Sequence, residues 1–545
     1  MVFLGLGNER LCAHRPGRHA DGDCRLQESA KTMMSEATKV DDQSPEEMEE
    51  KPSIFSRLCG IFGNRQKRAT IVPASTPATL VGSARIAPAT QVFELRLGNV
   101  ALEFELDLPM SGTVTRGSRD WIVHVGDAYF EGVPEFLSIR AGETVLIGRV
   151  DDMQTRIFGF DRSVAERHVK VSNVRGSLTV ESLEPDRATT IAAIASDRRA
   201  WNVRRENLKR LPGVLGRPLT ELDGDDALEI LREVNDILAA EAYREPNDDG
   251  VPGGIIKLPD DKAIVILGDI HTQMDNLLRV ITEGGLLAAL ERDDVCMVFL
   301  GDLVHCEEPG ELERMDTSIL ILDIFCTLKR RFPENIFCLR GNHEDFSPES
   351  GKGGVPQGVL LRRYMKERRG AEYVAEIERL FDGLAYIAQG MDFAACHGGP
   401  VRSRVTRDAM VNIRRYPGLQ NEVVWNRLRQ AGRLNGYGKG SVKRFRRMLG
   451  LSKEAPVIVG HTPMSATETL WRDVGGIKAH HIVYSAHTDR LAIMVMRDGE
   501  ALALEFTPEP ALDMLRDDIK TSSDTPGQSD AKGKAPPAEA EGAIE

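Results

Sequence analysis

The chain has 545 residues, of which 41% are hydrophobic and 28% are charged, so it can form two or three globular domains and is not disordered throughout. Its net charge of −13 argues against broad electrostatic binding to nucleic acid or to an anionic membrane. The eight cysteines are scattered, and neither a long apolar run nor a signal-peptide pattern is found, so a disulfide-stapled secreted scaffold is excluded. We therefore predict a cytoplasmic protein with no nucleic-acid partner and no membrane partner.

The first part of the chain is polar and then becomes rich in Pro, Ala and Thr. Six of the ten residues 41–50 are acidic. Such a composition buries too little apolar surface to offset the entropy cost of ordering the backbone. We predict a disordered N-terminal arm over residues 1–90.

Residues 91–195 contain six short runs that alternate or are rich in β-branched residues. Gly, Pro and Asp separate the runs, as is typical of strands joined by turns. This pattern predicts an all-β sandwich. The six runs are VFELRL, ALEFELDL, DWIVHV, TVLIGR, RHVKVS and SLTVES.

Residues 196–250 have a helical pattern. Ala227, Leu231, Val234 and Leu238 are spaced so that they share one face of a helix. We predict that this segment is a helical linker between two domains.

Apolar strand-like runs then alternate with helical stretches, which predicts an α/β domain over residues 251–510. After this domain large apolar residues become rare. We predict a disordered tail over residues 511–545.

Polar residues that can bind metals follow five strands of the α/β domain. Functional groups collect beyond the carboxyl ends of the strands in an α/β sheet, so we expect these residues to converge. Carboxylates, imidazoles and an amide oxygen, without thiolates, suit two ions of manganese, iron or zinc. The residues are Asp269, His271, Asp302, Asn342, His343, His397 and His461.

The order of these motifs, GDxH, GDxV, GNHE, HGG and GH, resembles the phosphoprotein phosphatase branch of the calcineurin-like metallophosphoesterases. The resemblance implies a four-layer metallophosphoesterase β-sandwich flanked by helices. It implies that His343 is the general acid. It also implies two sets of metal ligands that share a bridging Asp302: Asp269, His271 and Asp302 for one ion, and Asp302, Asn342, His397 and His461 for the other.

The resemblance further implies hydrolysis of phosphomonoesters with two divalent metal ions, with manganese expected and iron or zinc as alternatives. The implied substrates are phosphoserine and phosphothreonine proteins. Two other functions remain open: hydrolysis of dinucleoside polyphosphates, and binding of phosphoproteins by an adaptor with weak catalysis.

The chain departs from the family where the pattern GDxVDRG reads GDLVHCE over residues 301–307. His305 replaces the acid that supports the general acid, and Cys306 replaces an arginine that binds phosphate. Arg340, two residues before Asn342, can offer a planar guanidinium to phosphate.

A basic stretch over residues 401–447 could supply another phosphate-binding cation. It holds thirteen Lys and Arg residues against two acids. Arg433 and Lys439 are our candidates for phosphate binding, and the alternative is a solvated helix face.

In the β-rich region, Gly148 and Arg149 precede the segment DRSVAERHVKV, residues 161–171. This arrangement resembles a forkhead-associated (FHA) domain, a β-sandwich that binds phosphothreonine peptides. The resemblance implies that Arg149 and His168 take part in phosphopeptide binding, although Ala165 replaces a serine of the family pattern.

Overall fold

The structure is a computed structural model. None of the helices in the part that it describes is both long and apolar enough to cross a lipid bilayer. It describes residues 69–70, 77–109, 119–149, 156–194, 198–241, 243–429 and 435–515.

The N-terminal part is a sandwich of two β-sheets. The first sheet has five strands in the order β1-β3-β10-β9-β8, and the second has six strands in the order β2-β11-β4-β5-β6-β7. A short helix, α1 (Ala128–Glu131), lies between two strands of the second sheet. The strands are β1 (Ala69–Thr70), β2 (Ala78–Thr79), β3 (Ser83–Ile86), β4 (Val92–Leu97), β5 (Val100–Leu106), β6 (Trp121–His124), β7 (Phe136–Ile139), β8 (Thr144–Ile147), β9 (Val169–Val174), β10 (Ser177–Ser182) and β11 (Thr189–Ala192).

Alternating apolar residues form the core of this sandwich. Phe93 of β4 faces Phe104 of β5 across the antiparallel pair, and their stacked rings lie 4.6 Å apart. Ile147 of β8 and Leu178 of β10 are buried in the same core from the other sheet. The all-β sandwich predicted from the alternation is therefore present.

The predicted arm over residues 1–90 is too long at its C-terminal end. Strand β3 lies inside that range and pairs antiparallel with β10, with Ile86 opposite Leu178. Ala84 and Ile86 are buried, since alternate residues of a strand face the same side. The segment is too short for average composition to reveal it, and residues 1–68 lie outside the described part.

The remaining helices and strands form the α/β part of the chain. The helices are α2 (Arg199–Leu215), α3 (Gly224–Ala239), α4 (Met274–Thr282), α5 (Leu286–Glu291), α6 (Asp316–Arg331), α7 (Gln357–Gly383), α8 (Arg407–Val411), α9 (Pro417–Trp425) and α10 (Lys439–Met448). The strands are β12 (Arg244–Pro246), β13 (Pro252–Lys257), β14 (Ala263–Leu267), β15 (Val295–Phe299), β16 (Ile336–Cys338), β17 (Ile387–Gln389), β18 (Ala394–Cys396), β19 (Val457–Val459), β20 (Leu470–Trp471), β21 (His480–Val483), β22 (Leu491–Arg497) and β23 (Glu500–Phe506).

These elements form four layers, as predicted. One sheet has the order β16-β15-β14-β22-β23 and the other β12-β13-β17-β18-β19-β21-β20. Ile264 and Ile266 of β14 pack with Ile458 of β19 between the two sheets. Val265 and Leu267 of β14 point the other way, into a core shared with helices α2 to α7. Helices α8 and α10 cover the outer face of the second sheet.

Residues 196–250 are not a linker. Helix α3 buries the predicted face, including Leu231 and Val234, in the core that contains α6 and α7. Helix α2 buries Leu208 and Leu211 in the same core. An amphipathic pattern predicts that a face is buried but does not tell which partner covers it, so the two helices belong to the outer layer of the α/β part.

The predicted tail also begins too early. Residues 511–515 are helical, and Ala511 and Leu515 are buried in the core of the α/β part. Two apolar residues on one helical turn are too weak a signal for composition to detect. Residues 516–545 lie outside the described part.

A fully buried ion network joins the sandwich to the α/β part. Arg204 of α2 lies 3.2 Å from Asp107, which follows β5, and 2.7 Å from Glu509, which follows β23. Arg279 of α4 contacts Asp107 at 3.2 Å and pairs with Glu283. Burial of these charges is tolerable only because each one has opposite charges beside it.

We expect Arg204→Ala to lower the free energy of unfolding by about 3–5 kcal/mol, because it removes the cation that lies 2.7 Å from the buried Glu509 and 3.2 Å from the buried Asp107. Arg205→Ala is the matched control, since Arg205 is exposed on the same helix. Chemical denaturation followed by circular dichroism measures both effects. Equal stability of the two variants would mean that the network contributes no net stabilisation.

Candidate metal centre

The predicted metal-ligating residues follow the ends of strands in both sheets of the α/β part. Strands β14, β15 and β16 run parallel in one sheet, and β18, β19 and β21 run parallel in the other. The carboxyl ends of the two sets meet at one edge of the layered fold. This edge carries Asp269 after β14, Asp302 after β15, Asn342 and His343 after β16, His397 after β18 and His461 after β19.

Asp302 lies at the centre of the cluster. Its Oδ2 atom is 3.7 Å from Nε2 of His271 and 3.3 Å from Nε2 of His397. Its Oδ1 atom accepts a hydrogen bond from the backbone N–H of His343 at 2.8 Å. The carboxylate therefore faces imidazoles on two sides, which is the geometry of a group shared by two cations.

Asp269 is fixed by the backbone of the neighbouring sheet. Both of its carboxylate oxygens lie 2.9 Å from the backbone N–H of His461, which donates to them. Oδ2 lies 3.9 Å from Nε2 of His271, and Oδ1 lies 3.9 Å from Nδ1 of His397. Gly460 is needed at this contact, since a Cβ atom there would lie 2.2 Å from Oδ1 of Asp269.

The imidazoles are oriented by backbone carbonyls. Nδ1 of His397 contacts the carbonyl oxygen of Leu300 at 3.0 Å, and Nδ1 of His271 contacts that of His305 at 3.1 Å. Nε2 of His397 also lies 3.0 Å from the amide oxygen of Asn342. Hydrogen bonding of one ring nitrogen leaves the other available to a metal.

The donor set fits two divalent cations. Two groups, each with ligand atoms within 4.8 Å of one another, share Asp302: one adds His271 and His343, and the other adds His397 and His461. Nε2 of His461 is buried and has no hydrogen-bond partner among the described residues. A buried imidazole nitrogen is normally hydrogen-bonded, and beside carboxylates it can bind a cation instead.

The charges of the cluster perturb one another. Burial raises the pKa of the Asp302 carboxyl, but His397 and His343 outweigh burial and hold that pKa well below its ordinary value. Burial lowers the pKa of His397, but Asp302 and Asp269 outweigh it and raise that pKa to about 9. The carboxyl of Asp302 is therefore held in its charged form, as a metal-binding carboxylate must be.

Glu344 supports the turn that carries Asp302. Its carboxylate accepts hydrogen bonds from the backbone N–H groups of Asp302, Leu303 and Gly341 at 2.8 to 2.9 Å. Asp302 and His305 have positive φ angles of 53° and 67°, which non-glycine residues adopt only when their surroundings enforce it. This carboxylate, the last residue of GNHE, was missed in the sequence because it binds backbone rather than ligand atoms.

Comparison with known proteins relates this centre to a family. Residues 262–488 match the model of the calcineurin-like phosphoesterase family. The chain contains a calcineurin-like metallophosphoesterase domain, as predicted.

Two similar proteins are serine/threonine-protein phosphatases. The serine/threonine-protein phosphatase PP2A-like PPG1 of Candida albicans is 29% identical over 205 residues, which cover 36% of this chain and 42% of that protein. The serine/threonine-protein phosphatase C23G10.1 of Caenorhabditis elegans is 27% identical over 172 residues, covering 30% and 34%. The chain thus spans less than half the length of these two relatives.

Among solved structures, a protein serine/threonine phosphatase from Saccharomyces cerevisiae with similarity to human phosphatase PP5 superposes with a TM-score of 0.40. It is 18% identical, and the match covers 56% of this chain and 96% of that chain.

A cavity of about 240 Å³ lies over the metal centre of the metallophosphoesterase domain. Five of the six predicted ligands and His343 line it, together with four charged or hydroxyl-bearing side chains that were not predicted as site residues. No motif marks them, because three lie in loops and one directly follows strand β21. They are Glu307, Lys352, Arg427 and Tyr484.

His343 borders this cavity and pairs with His305. The two Nδ1 atoms are 2.8 Å apart, so one ring donates a proton and the other accepts it. Burial lowers the pKa of His343 to about 4. His305 therefore stands beside His343 where the family pattern has an acid.

Arg340 and Lys439, which were predicted to bind phosphate, do not line the cavity over the metal centre. The guanidinium of Arg340 donates to Asp382 at 2.6 Å and to the carbonyl of Phe381, and it does not line the cavity of the metallophosphoesterase domain. Lys439 is exposed at the start of α10 and does not line it either. Cys306 is buried and its Sγ lies 3.9 Å from Glu311. Arg433 lies outside the described residues.

Other arginines of the basic stretch also have partners. Arg446 donates to four backbone carbonyls, those of residues 453, 455, 478 and 479. Arg414 donates to carbonyls of residues 252, 382, 383 and 384, and Arg407 pairs with Glu245. These three arginines therefore hold the second sheet and its helices together, whereas Arg427 of the same stretch lines the cavity.

The two predicted phosphopeptide contacts bond to the same turn of the sandwich, Arg149 at the surface and His168 beneath it. Arg149 is exposed, and its Nε donates to the carbonyl of Val164 at 2.6 Å. His168 is fully buried, with Nδ1 accepting from the N–H of Ala165 and Nε2 beside the hydroxyl of Thr189, each at 3.1 Å. His168 thus stabilises the turn beneath the surface. The family match does not include the sandwich, so the resemblance to an FHA domain stays a prediction.

Proposed function

We propose that the metallophosphoesterase domain is a protein serine/threonine phosphatase that hydrolyses phosphomonoesters with two divalent metal ions. The observation that carries the proposal is the buried Asp302, shared by two groups of ligand atoms at the end of parallel strands. The serine/threonine phosphatases among its relatives support the substrate class.

Six side chains would hold the metals. Asp269, His271 and Asp302 would bind the first ion. Asp302, Asn342, His397 and His461 would bind the second. Their oxygen and imidazole donors suit manganese, with iron and zinc as alternatives. Two such ions supply the Lewis acidity and positive charge that phosphoryl transfer needs.

His343 would donate a proton to the leaving oxygen of the substrate. It borders the cavity, and its backbone N–H is tied to Asp302, which fixes the imidazole relative to the metal ligands. A serine or threonine alkoxide is a poor leaving group, so a positioned acid accelerates its departure.

Lys352 and Arg427 would bind the phosphate oxygens. They are the two basic side chains in the described wall of the cavity. Lys352 pairs with Glu307 at 2.8 Å, and among the described residues the side chain of Arg427 has two long contacts, of 3.4 Å, with the carbonyl of His461 and the hydroxyl of Thr462. Contacts of this length hold Arg427 weakly, so its guanidinium can turn toward an anion.

We expect Arg427→Ala and Lys352→Ala each to raise KM about 10–100-fold and to change kcat less. A charge-assisted hydrogen bond is worth roughly 1.5–3 kcal/mol, and a cation that meets the phosphate equally in the ground and transition states contributes uniform binding. Lys439→Ala is the matched control, because Lys439 is exposed outside the cavity. Unchanged kcat/KM in both cavity variants would contradict this assignment.

The proposed function is tested with the full chain loaded with manganese. We expect release of phosphate from phosphoserine and phosphothreonine peptides, and loss of this activity on chelation. Cleavage of dinucleoside polyphosphates alone would favour the alternative hydrolase. Phosphoprotein binding without turnover by the metal-loaded protein would favour the adaptor.

We also propose that the sandwich binds phosphothreonine and that the protein is cytoplasmic. The exposed Arg149 supports the first, since a guanidinium at the surface of the sandwich can pair with a phosphate. The scattered cysteines, with no pair spaced for a disulfide framework, support the second.

A further inference from the structure

Three carboxylates approach one imidazole nitrogen at the metal centre. Nε2 of His271 lies 3.9 Å from Asp269 and 3.7 Å from Asp302, which are the ligands expected for the first metal. It lies 3.6 Å from Oε1 of Glu307, closer than to either of them. Glu307 therefore lies as close to this expected ligand nitrogen of the first metal as the two aspartates do.

The other oxygen of Glu307 is held by two donors. Oε2 accepts a hydrogen bond from the hydroxyl of Tyr484 at 2.7 Å and lies 2.8 Å from Nζ of Lys352. Within the described residues no hydrogen bond is found to Oε1. One carboxylate oxygen is thus anchored while the other faces the cavity beside His271, as in carboxylates that bind a metal through one oxygen.

The position of Glu307 in the chain distinguishes this arrangement from the resembled family pattern. Residues 301–307 form the loop after β15, and Glu307 stands where the resembled pattern GDxVDRG ends in glycine. A glycine offers no side chain to the metal centre. Here the loop brings a carboxylate to it, so the first metal position has one more candidate ligand than the family motifs supply.

We propose that Glu307 is an additional ligand of the first metal ion, through Oε1. This inference rests on the proposed function, because it presumes that the centre binds two cations. A third carboxylate would strengthen binding of the first ion and favour manganese, since carboxylate oxygens are the ligands that harder cations prefer. Lys352 and Tyr484 keep the carboxylate oriented.

The test is metal binding rather than turnover. The metal-stripped full chain is titrated with manganese chloride in a calorimeter, and the metal retained after gel filtration in metal-free buffer is counted by mass spectrometry. We expect two sites in the unsubstituted protein. In Glu307→Gln we expect one of the two affinities to fall at least about tenfold, since loss of supporting groups at metal sites already costs 10–100-fold.

Glu308→Gln is the matched control, because it removes the same charge from the next residue, which lines a neighbouring cavity. Tyr484→Phe keeps the Glu307 charge but removes the hydroxyl that orients it, so a smaller loss at the same site is expected. Circular dichroism of each metal-free variant checks that the fold is retained, and Tyr484→Phe decides the matter if Glu307→Gln does not fold.

The outcomes separate this inference from the proposed function. If the unsubstituted protein binds no manganese, the proposed function itself is wrong. If it binds two ions and Glu307→Gln or Tyr484→Phe selectively weakens one site, Glu307 is a ligand. If Glu307→Gln matches Glu308→Gln, or weakens both sites equally, Glu307 acts only as a charge beside Lys352, and the inference is overturned while the proposed function stands.

Discussion

Replacement of Asp302 by asparagine should abolish phosphoester hydrolysis while the fold is retained. The amide has nearly the same shape but lacks the negative charge that both metal positions share. His271 and His397 each lie within 3.7 Å of this carboxylate, so loss of its charge weakens both positions together. We expect turnover at the background level of the assay and reduced manganese content.

The measurement combines manganese-dependent hydrolysis, metal content and circular dichroism. Asp261→Asn is a matched control, because Asp261 is exposed near the start of the same β14 that leads to Asp269. This control should retain the activity and metal content of the unsubstituted protein. Near-normal hydrolysis by Asp302→Asn would contradict a centre built on a shared carboxylate.

The arrangement of the metal centre could be predicted because each of its parts is local in sequence. An apolar strand followed by a turn and a polar residue fixes where that side chain emerges, and parallel strands bring such residues to one edge. Asp269 and His461 are 192 residues apart, yet the backbone N–H of His461 lies 2.9 Å from both oxygens of Asp269. The prediction of the metal centre therefore rested on the polar residues that follow the ends of strands.

The walls of the cavity could not be predicted in the same way. Arg340 precedes a metal-ligating motif, but its guanidinium pairs with Asp382 at the end of α7, a contact that no local pattern announces. Lys352 and Arg427 enter the cavity from loops whose paths depend on tertiary packing. Residue type near a motif was thus a poor guide to which side chains line the cavity.

Two of the predicted domain boundaries were wrong for a related reason. Composition indicated an arm up to residue 90 and a linker up to residue 250, yet β3 pairs within the sandwich and α3 packs against α6 and α7. Both segments become ordered through partners that are distant in sequence. Average composition and one amphipathic face do not identify such partners, so we expect errors where a short element completes a larger core.

Replacement of His343 by asparagine should lower kcat/KM about 10²–10⁴-fold for phosphothreonine peptides and much less for 4-nitrophenyl phosphate. The alkoxide leaving group of threonine needs a proton, whereas nitrophenolate is stable without one. A defect confined to the peptide therefore identifies proton donation. Steady-state kinetics of both substrates on protein with verified metal content make the comparison.

The pairing of His343 with His305 makes this contrast informative. In the resembled family an acid supports the general acid, whereas here an imidazole nitrogen lies 2.8 Å from Nδ1 of His343. A neutral imidazole stabilises a protonated partner less than a carboxylate would, and burial already lowers the pKa of His343 to about 4. His487→Asn is the control, because its ring contacts Tyr484 near the cavity but does not line it. Equal losses on both substrates would mean that His343 acts in substrate binding or in the structure of the site. A loss confined to the peptide would mean that His343, although paired with His305, donates a proton to the leaving oxygen.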